Sequence, residues 1–284
     1  MAIPLIGAHV SAEGGLVNAF DRAETIGATV MQIFGASPRM YRANPVKDEA
    51  VTAFQDRWQK SSVEAVYLHA AYVVNLATPE PESLEKSVKN LAAHLSIADQ
   101  IGASGLIFHV GSGKEMPKAE ALAQAIAAMK EVLRRSSGSA RLMIENSAGG
   151  GQKIGSTIDE IAAMISGVDS PRMAACFDTA HAFEAGVIEH YTPETVAALC
   201  DEWQEKIGLD RLLAMHVNDS KTPFDSHHDR HENIGEGFIG LSGFQALAAE
   251  TRLHHVAWML EVPGFDDNGP DKQNIDILRG CFKK

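Results

Sequence analysis

Six imidazole or carboxylate side chains recur along the 284-residue chain at nearly even intervals: His69, His109, Glu145, Asp178, His216 and Glu261, each 33 to 45 residues from the next. Each stands at the C-terminal end of a short apolar run. Two further groups lie close by in sequence. Asp178-Thr-Ala-His181 sets a histidine just past one run, and Asp229-Arg-His231 has the i, i+2 spacing that puts both side chains on one side of an extended segment. Five histidines and four carboxylates without a thiolate suit Zn²⁺ or Mn²⁺ at a catalytic centre with open positions. Nine ligands are too many for one tetrahedral ion, whereas three ions with one bridging carboxylate would use them all. A lone histidine at a strand end is ordinarily a hydrogen-bonded core residue. Six such residues at one set of strand ends are not, because buried carboxylates in that number repel one another unless cations face them. Three divalent ions outweigh four carboxylates, so the centre would be electropositive. Clusters of this kind suit phosphoester hydrolysis: one ion lowers the pKa of a water while the others hold the non-bridging and leaving oxygens of an in-line displacement. The chain has no Walker-type loop, no Gly-x-Ser-x-Gly and no Cys–His nucleophile pattern, so a covalent route has no support.

These side chains converge only if the runs that carry them are neighbours. Eight runs are present: 4–10, 29–35, 65–70, 105–111, 141–147, 173–181, 212–220 and 256–262. Their continuous apolar character suits strands covered on both faces, as in a parallel sheet. Amphipathic segments alternate with them. One over 83–102 starts near Ser83 and stops at Gly102, and another over 118–135 ends in Arg134 and Arg135. Eight strand–helix units in this length predict an α/β fold, a TIM (β/α)₈ barrel, in which the C-terminal strand ends ring one site. A doubly wound sheet is the alternative. Strand alternation puts Glu145 on one face with Met143, His69 with Tyr67, and His216 with Ala214 and Leu212, while Leu142 and Ile144 face helices. No Pro- or Gly-rich linker divides the chain, so residues 1–284 are expected to form a single domain. Segments 36–47 and 221–240 are longer than a barrel needs, and the second is rich in His, Asp and Gly, which points to function.

Composition limits the partners. Lys plus Arg number 25 against 37 Asp plus Glu, a formal net charge of -12, which argues against a nonspecific polyanion binder unless metals are bound. A hydrophobic fraction of 45% excludes bulk disorder. Cys176, Cys200 and Cys281 form no Cys-x-x-Cys pair, so neither a disulfide framework nor a structural zinc finger is expected, and a reducing cytoplasm is. No run is apolar enough to span a membrane, and the first residues lack a basic region followed by an apolar core, so no secretory signal is expected.

Five strings carry a resemblance: GAHVSAEGG (7–15), IENSAGG (144–150), FDTAH (177–181), MHVNDSKTPFDSHHDRHENIGEGFIG (215–240) and LEVPG (260–264). With them the whole chain resembles the endonuclease IV family of apurinic/apyrimidinic (AP) endonucleases. The resemblance implies a xylose-isomerase-like TIM barrel with three Zn²⁺, Mn²⁺ being possible at one site. His69, His109 and Glu145 would hold the first ion. Glu145 would bridge to a second, completed by Asp178, His216 and Glu261, and His181, Asp229 and His231 would hold the third. Glu145 and Glu261 are the expected catalytic carboxylates. The implied reaction belongs to base excision repair: hydrolysis of the phosphodiester 5′ to an abasic site, leaving a 3′-hydroxyl and a 5′-deoxyribose phosphate, together with repair of blocked 3′ ends. The implied partner is damaged double-stranded DNA, met by a monomer. Four positions depart from the family's usual residues: Val110 (Pro), Ala180 (Cys), Asp225 (Gly) and Val262 (Thr). None is a ligand, but Val262 removes a hydroxyl beside Glu261, and Asp225 puts a charge in a loop near phosphate.

An abasic site offers no base to read, so recognition must work through deformation and gap filling. Tyr72, three residues past His69, and Arg39, in the loop after the second run, resemble the family's wedge residues; otherwise they are a packed tyrosine and a solvated arginine. Gln32 and Asn75 are expected to hydrogen-bond DNA backbone, and Lys221 and Arg230 to meet phosphates. His9 is expected in the pocket wall, His227 and His228 in an exposed loop, and SAGGGQ (147–152) in a strand-to-helix turn. Two other functions compete. A metal-dependent sugar isomerase or epimerase uses a similar barrel but needs one or two ions, which leaves His181, Asp229 and His231 surplus. A non-catalytic binder of damaged DNA has no use for nine ligands.

Overall fold

Eight parallel strands close on themselves in the computed structural model, which describes residues 3–41 and 46–283. In chain order the strands are β1 (Ile6–His9), β2 (Val30–Phe34), β3 (Ala65–His69), β4 (Gly105–Phe108), β5 (Arg141–Glu145), β6 (Met173–Asp178), β7 (Leu212–His216), a short hairpin of β8 (Asp219–Ser220) and β9 (His231–Glu232), and β10 (Ala257–Leu260). The barrel runs from β1 through β7 to β10, which pairs back to β1, while β8 and β9 form a separate antiparallel pair. The helices are α1 (Asn18–Thr25), α2 (Asp48–Trp58), α3 (Pro81–Ile101), α4 (Lys118–Arg135), α5 (Ile158–Val168), α6 (Thr179–Glu184), α7 (Pro193–Lys206), α8 (Gly240–Ala249) and α9 (Lys272–Gly280). The architecture is a TIM barrel and not a doubly wound sheet, because the sheet has no edge.

Strand alternation divides the apolar residues into two layers. Tyr67, Ile107, Met143, Cys176, Ala214 and Met259 point inward with Val30 and Ala174 and fill the barrel. Each of the first six lies two residues before a ligand-type residue: His69, His109, Glu145, Asp178, His216 and Glu261. The packed interior is therefore the floor on which the ring of polar side chains stands. Leu142, Ile144 and their counterparts point outward into the helix-facing core. One expected inward residue is misplaced. Leu212 belongs to the outer core, and Leu213 packs on the inner layer. The reason is a bulge: Ala175 pairs with Leu212 but the next residue, Cys176, pairs with Ala214, so β7 carries one extra residue there.

Helix α4 covers the expected span, and Arg134 and Arg135 sit in its last turn. Helix α3 stops at Gly102, whose φ of 81° is a left-handed cap that costs glycine little. It begins at Pro81 rather than at Ser83, since proline suits the first helical position and lacks an N–H to satisfy. Segment 221–240 is not a loose loop. The β8–β9 hairpin opens it, and the buried Asp219 carboxylate gathers the backbone N–H groups of Gly235, Gly237, Ile239 and Gly240. Within segment 36–47, residues 42–45 lie outside the described residues; Pro38 accepts a hydrogen bond from Tyr72 N at 2.9 Å, so its neighbour Arg39 and Tyr72 share one rim. Among the described residues no helix is long and apolar enough to cross a membrane, and all three cysteines are free.

Candidate metal centre

The strand ends bring the nine expected ligand residues into three adjoining groups. His69 Nδ1 donates to the Ala70 carbonyl at 2.8 Å, which leaves Nε2 facing Glu145 Oε2 at 3.1 Å. His109 Nε2 lies 3.4 Å from the same oxygen. The other oxygen, Glu145 Oε1, is 2.8 Å from His216 Nδ1, which in turn is 3.4 Å from Glu261 Oε2 and 3.9 Å from Asp178 Oδ2. Glu145 thus divides its two oxygens between two donor groups. In the third group His181 Nε2 is 3.3 Å from Asp229 Oδ1 and 3.4 Å from His231 Nε2, and the last two are 3.7 Å apart. Donors that share a tetrahedral zinc at about 2.0–2.1 Å lie about 3.3 Å from one another, so the donor chemistry and the spacings fit the ion. Asp178 also stands close to His181 and His231, so the second and third groups touch.

Most of these donors are held from behind. Asp178 caps α6 by accepting the His181 N–H at 2.8 Å, which sets His181 one turn past the strand. His181 Nδ1 donates to the Asn146 carbonyl, and His231 Nδ1 to the Glu261 carbonyl, so each Nε2 faces the site. Asn218 donates to Asp178 Oδ2 and accepts from Glu261 N, both at 2.7 Å. Asn146 brackets Asp178 through its backbone N–H and carbonyl. Neither asparagine stood out from the sequence, although Asn218 follows His216 by two residues and so lies on the same side of an extended chain. His9, expected in the pocket wall, reaches Glu261 Oε1 at 3.0 Å.

The side-chain amides of two residues expected to contact DNA are engaged within the protein. Gln32 is fully buried at the inner end of the site. Its Nε2 donates to Glu261 Oε1 at 2.6 Å and its Oε1 accepts from His216 Nε2 at 2.8 Å, so it orients two ligand residues and cannot meet DNA. Asn75 accepts from Ser112 N and Ala77 N and donates to the Ser112 carbonyl, which makes it a brace between loops. The other four stand at the rim. Tyr72 is 68% exposed and edge-on to Phe34, so it projects rather than packs. Arg39, Lys221 and Arg230 are exposed, with Lys221 also 3.4 Å from Glu232. A cleft of about 450 Å³ opens over His69, His109, His181 and His231 and is rimmed by Tyr72 and Arg230. It adjoins a larger cleft of about 1030 Å³ past His9 and Phe34.

A family model described as a xylose isomerase-like TIM barrel matches residues 20–281. A relative from Halorhodospira halophila, named "Probable endonuclease 4", is 38% identical over 98% of this chain and 94% of its own. The crystal structure of endonuclease IV from Thermus thermophilus superposes with a TM-score of 0.85, at 30% identity and 98% coverage of each chain. The chain belongs to the endonuclease 4 family. As a member it is an enzyme of the endonuclease class. A 3-keto-D-glucoside 4-epimerase from E. coli also superposes, with a TM-score of 0.68 at 14% identity, a likeness in fold alone.

The electrostatics of this family member's centre follow from burial against mutual attraction. Burial works against the charge on Glu145, but the imidazoles of His109, His216 and His181 outweigh it and hold the carboxyl well below its ordinary value. Glu261 and Asp229 are lowered in the same way, against burial, by His216 and His9 for the first and by His181 and His231 for the second. Burial opposes protonation of His181 and His216 too, yet both are raised well above 6.5, His181 by Asp178 and Asp229 and His216 by the Cys176 sulfur and then Glu145 and Glu261. Burial prevails at His9 and His109, whose pKa values are lowered. The departures from the family pattern are accommodated. Val110, Ala180 and Val262 are buried, and the outer oxygen of Glu261 is held by Gln32 and His9. Asp225 has a φ of 58°, the left-handed region that explains a usual glycine and that aspartate tolerates. The glycines of 149–151 all have positive φ, and a Cβ on Gly149 would lie 2.9 Å from the His227 ring, so this turn seats the loop that carries Asp229.

Proposed function

We propose that this chain is a zinc-dependent AP endonuclease of base excision repair, which hydrolyses the phosphodiester 5′ to an abasic site to leave a 3′-hydroxyl and a 5′-deoxyribose phosphate, and which also clears blocked 3′ ends. The observation that carries the reading is the division of Glu145 between two donor groups with a third group, His181, Asp229 and His231, alongside. In this reading His69, His109 and Glu145 hold one ion. Glu145, Asp178, His216 and Glu261 hold the second, and the remaining three hold the third; the ions are zinc, with manganese an alternative at one of the three sites. Ions so placed supply Lewis-acid chemistry, lowering the pKa of a water and neutralising phosphoryl oxygens. The chain's own part is to orient and exclude. Gln32, Asn218, Asn146 and the backbone carbonyls fix each donor atom. Tyr72 and Arg39 fill the gap left by the flipped abasic nucleotide, and Lys221 and Arg230 meet flanking phosphates. The enzyme acts as a single-domain monomer on DNA in the cytoplasm.

A sugar isomerase or epimerase would leave the third donor group without a task. The discriminating variant is Asp229→Ala with His231→Ala, which removes two of the third group's three donors from the β8–β9 segment and not from a barrel strand. The expected outcome is a folded protein with about one zinc fewer per chain by elemental analysis and severe loss of abasic-site cleavage. Unchanged zinc content and unchanged cleavage would transfer the argument to the sugar-processing reading.

A further inference from the structure

Glu184 closes α6 one turn beyond His181, and the function proposed above gives it no task. It is fully buried. Its Oε1 accepts hydrogen bonds from Ser220 Oγ at 2.7 Å, Thr222 Oγ1 at 3.2 Å and Arg230 N at 3.2 Å. Its backbone carbonyl accepts one from His227 N at 2.9 Å. These partners come from both arms of the segment between β8 and β9, the segment that delivers Asp229 and His231. Oε2, in contrast, is buried with no hydrogen-bond partner. A buried carboxylate oxygen left without a donor is costly, and a nearby cation is what offsets such a cost. A ligand-type oxygen of Glu184 lies within 4.8 Å of donor atoms on both His181 and Asp229.

We propose that Glu184 is a positioning residue of the third ion's site. Through Oε1 it clamps the hairpin that carries Asp229 and His231, and through the charge on its unpartnered Oε2 it helps to retain the cation held there. The proposal rests on the three-ion reading. It adds to the nine donors a tenth residue that acts by charge from behind them.

Glu184→Gln separates the two roles. The amide oxygen still accepts from Ser220, Thr222 and Arg230, but the charge is gone. Glu184→Ala removes both. Zinc per chain is measured by elemental analysis after dialysis against rising chelator, the melting temperature of the chelated protein is the structural control, and hydrogen exchange reads the amides of 219–232. Wild type is expected to hold three zinc ions. Glu184→Gln is expected to melt like wild type when stripped, to keep two ions as wild type does, and to release the third at about 10–100-fold lower chelator activity. Glu184→Ala is expected to release it as readily and also to speed exchange in the hairpin. If Glu184→Gln holds its third zinc as tightly as wild type, the charge has no part and the proposal falls while the three-ion reading stands. If Glu184→Ala leaves hairpin exchange unchanged, the clamp is refuted. If wild type itself holds two zinc ions or fewer, the three-ion reading fails and this proposal fails with it.

Discussion

Four of the five ligand-type imidazoles have their second ring nitrogen tied to a protein acceptor: His69 to Ala70, His181 to Asn146, His216 to Gln32 and His231 to Glu261. The fifth, His109, has a buried Nδ1 with no partner among the described residues. Orientation is therefore built in before any ion arrives, and the carboxylates complete the charge. Replacing Glu145 or Glu261 by Gln keeps shape and removes that charge, so single-turnover cleavage of an abasic duplex should fall by a factor of at least about 10² while DNA binding survives. Near-normal cleavage by either variant would remove that residue from the reacting centre. The clustering of these nine residues was legible in the sequence because each closes an apolar run or sits in a short motif beside one. Their supports were not, because amides such as Gln32 and Asn218 show their purpose only through partners far away in sequence. Glu184 carried one available signal, its place three residues after His181 on a helix.

The elements that matter are the loops, since the strands only raise them to one face. The β3 loop exposes Tyr72, and its backbone bond to Pro38 couples it to the loop of Arg39, so the two side chains form one rim. Tyr72→Ala and Arg39→Ala should each weaken binding to abasic duplex more than to undamaged duplex, because a filled gap offsets an unstacking cost of a few kcal/mol that intact DNA never incurs. Equal losses on both duplexes in a titration would reduce these residues to ordinary phosphate contacts. Strand and helix positions were readable because apolar periodicity records burial on two faces or on one. The β7 bulge was not, since one extra residue leaves the apolar pattern intact and only shifts which leucine faces inward. The order in 235–240 was hidden for a related reason: a buried Asp219 organises that stretch by binding its backbone N–H groups, which have no sequence signature.

For the whole molecule, the site is a set of opposed charges whose balance changes with pH. Without ions, His181 and His216 have pKa values above 6.5, since the neighbouring acidic groups, the carboxylates and, for His216, first the Cys176 sulfur, outweigh the burial that opposes their charge. A raised histidine contributes stability that is fully present below its unfolded value near 6.5 and is lost as pH rises through its folded value. Glu145, Glu261 and Asp229 are held below their ordinary values, 4.5 for the glutamates and 3.8 for the aspartate, by the same imidazoles. Their contribution is present above those values and is lost only in acid. The stripped barrel therefore gains most from its site at mildly acidic pH and loses that gain toward alkaline pH. On the zinc-dependent function proposed above, the ion reverses the trend, because its donors must be deprotonated, its binding strengthens as pH rises, and binding to the folded form alone raises stability. The gap in melting temperature between zinc-loaded and chelated protein should thus widen between about pH 6 and about pH 8.5. Scanning calorimetry of both forms across that range checks it, and a gap that stays constant or narrows would mean that protons and zinc do not compete for His181 and His216.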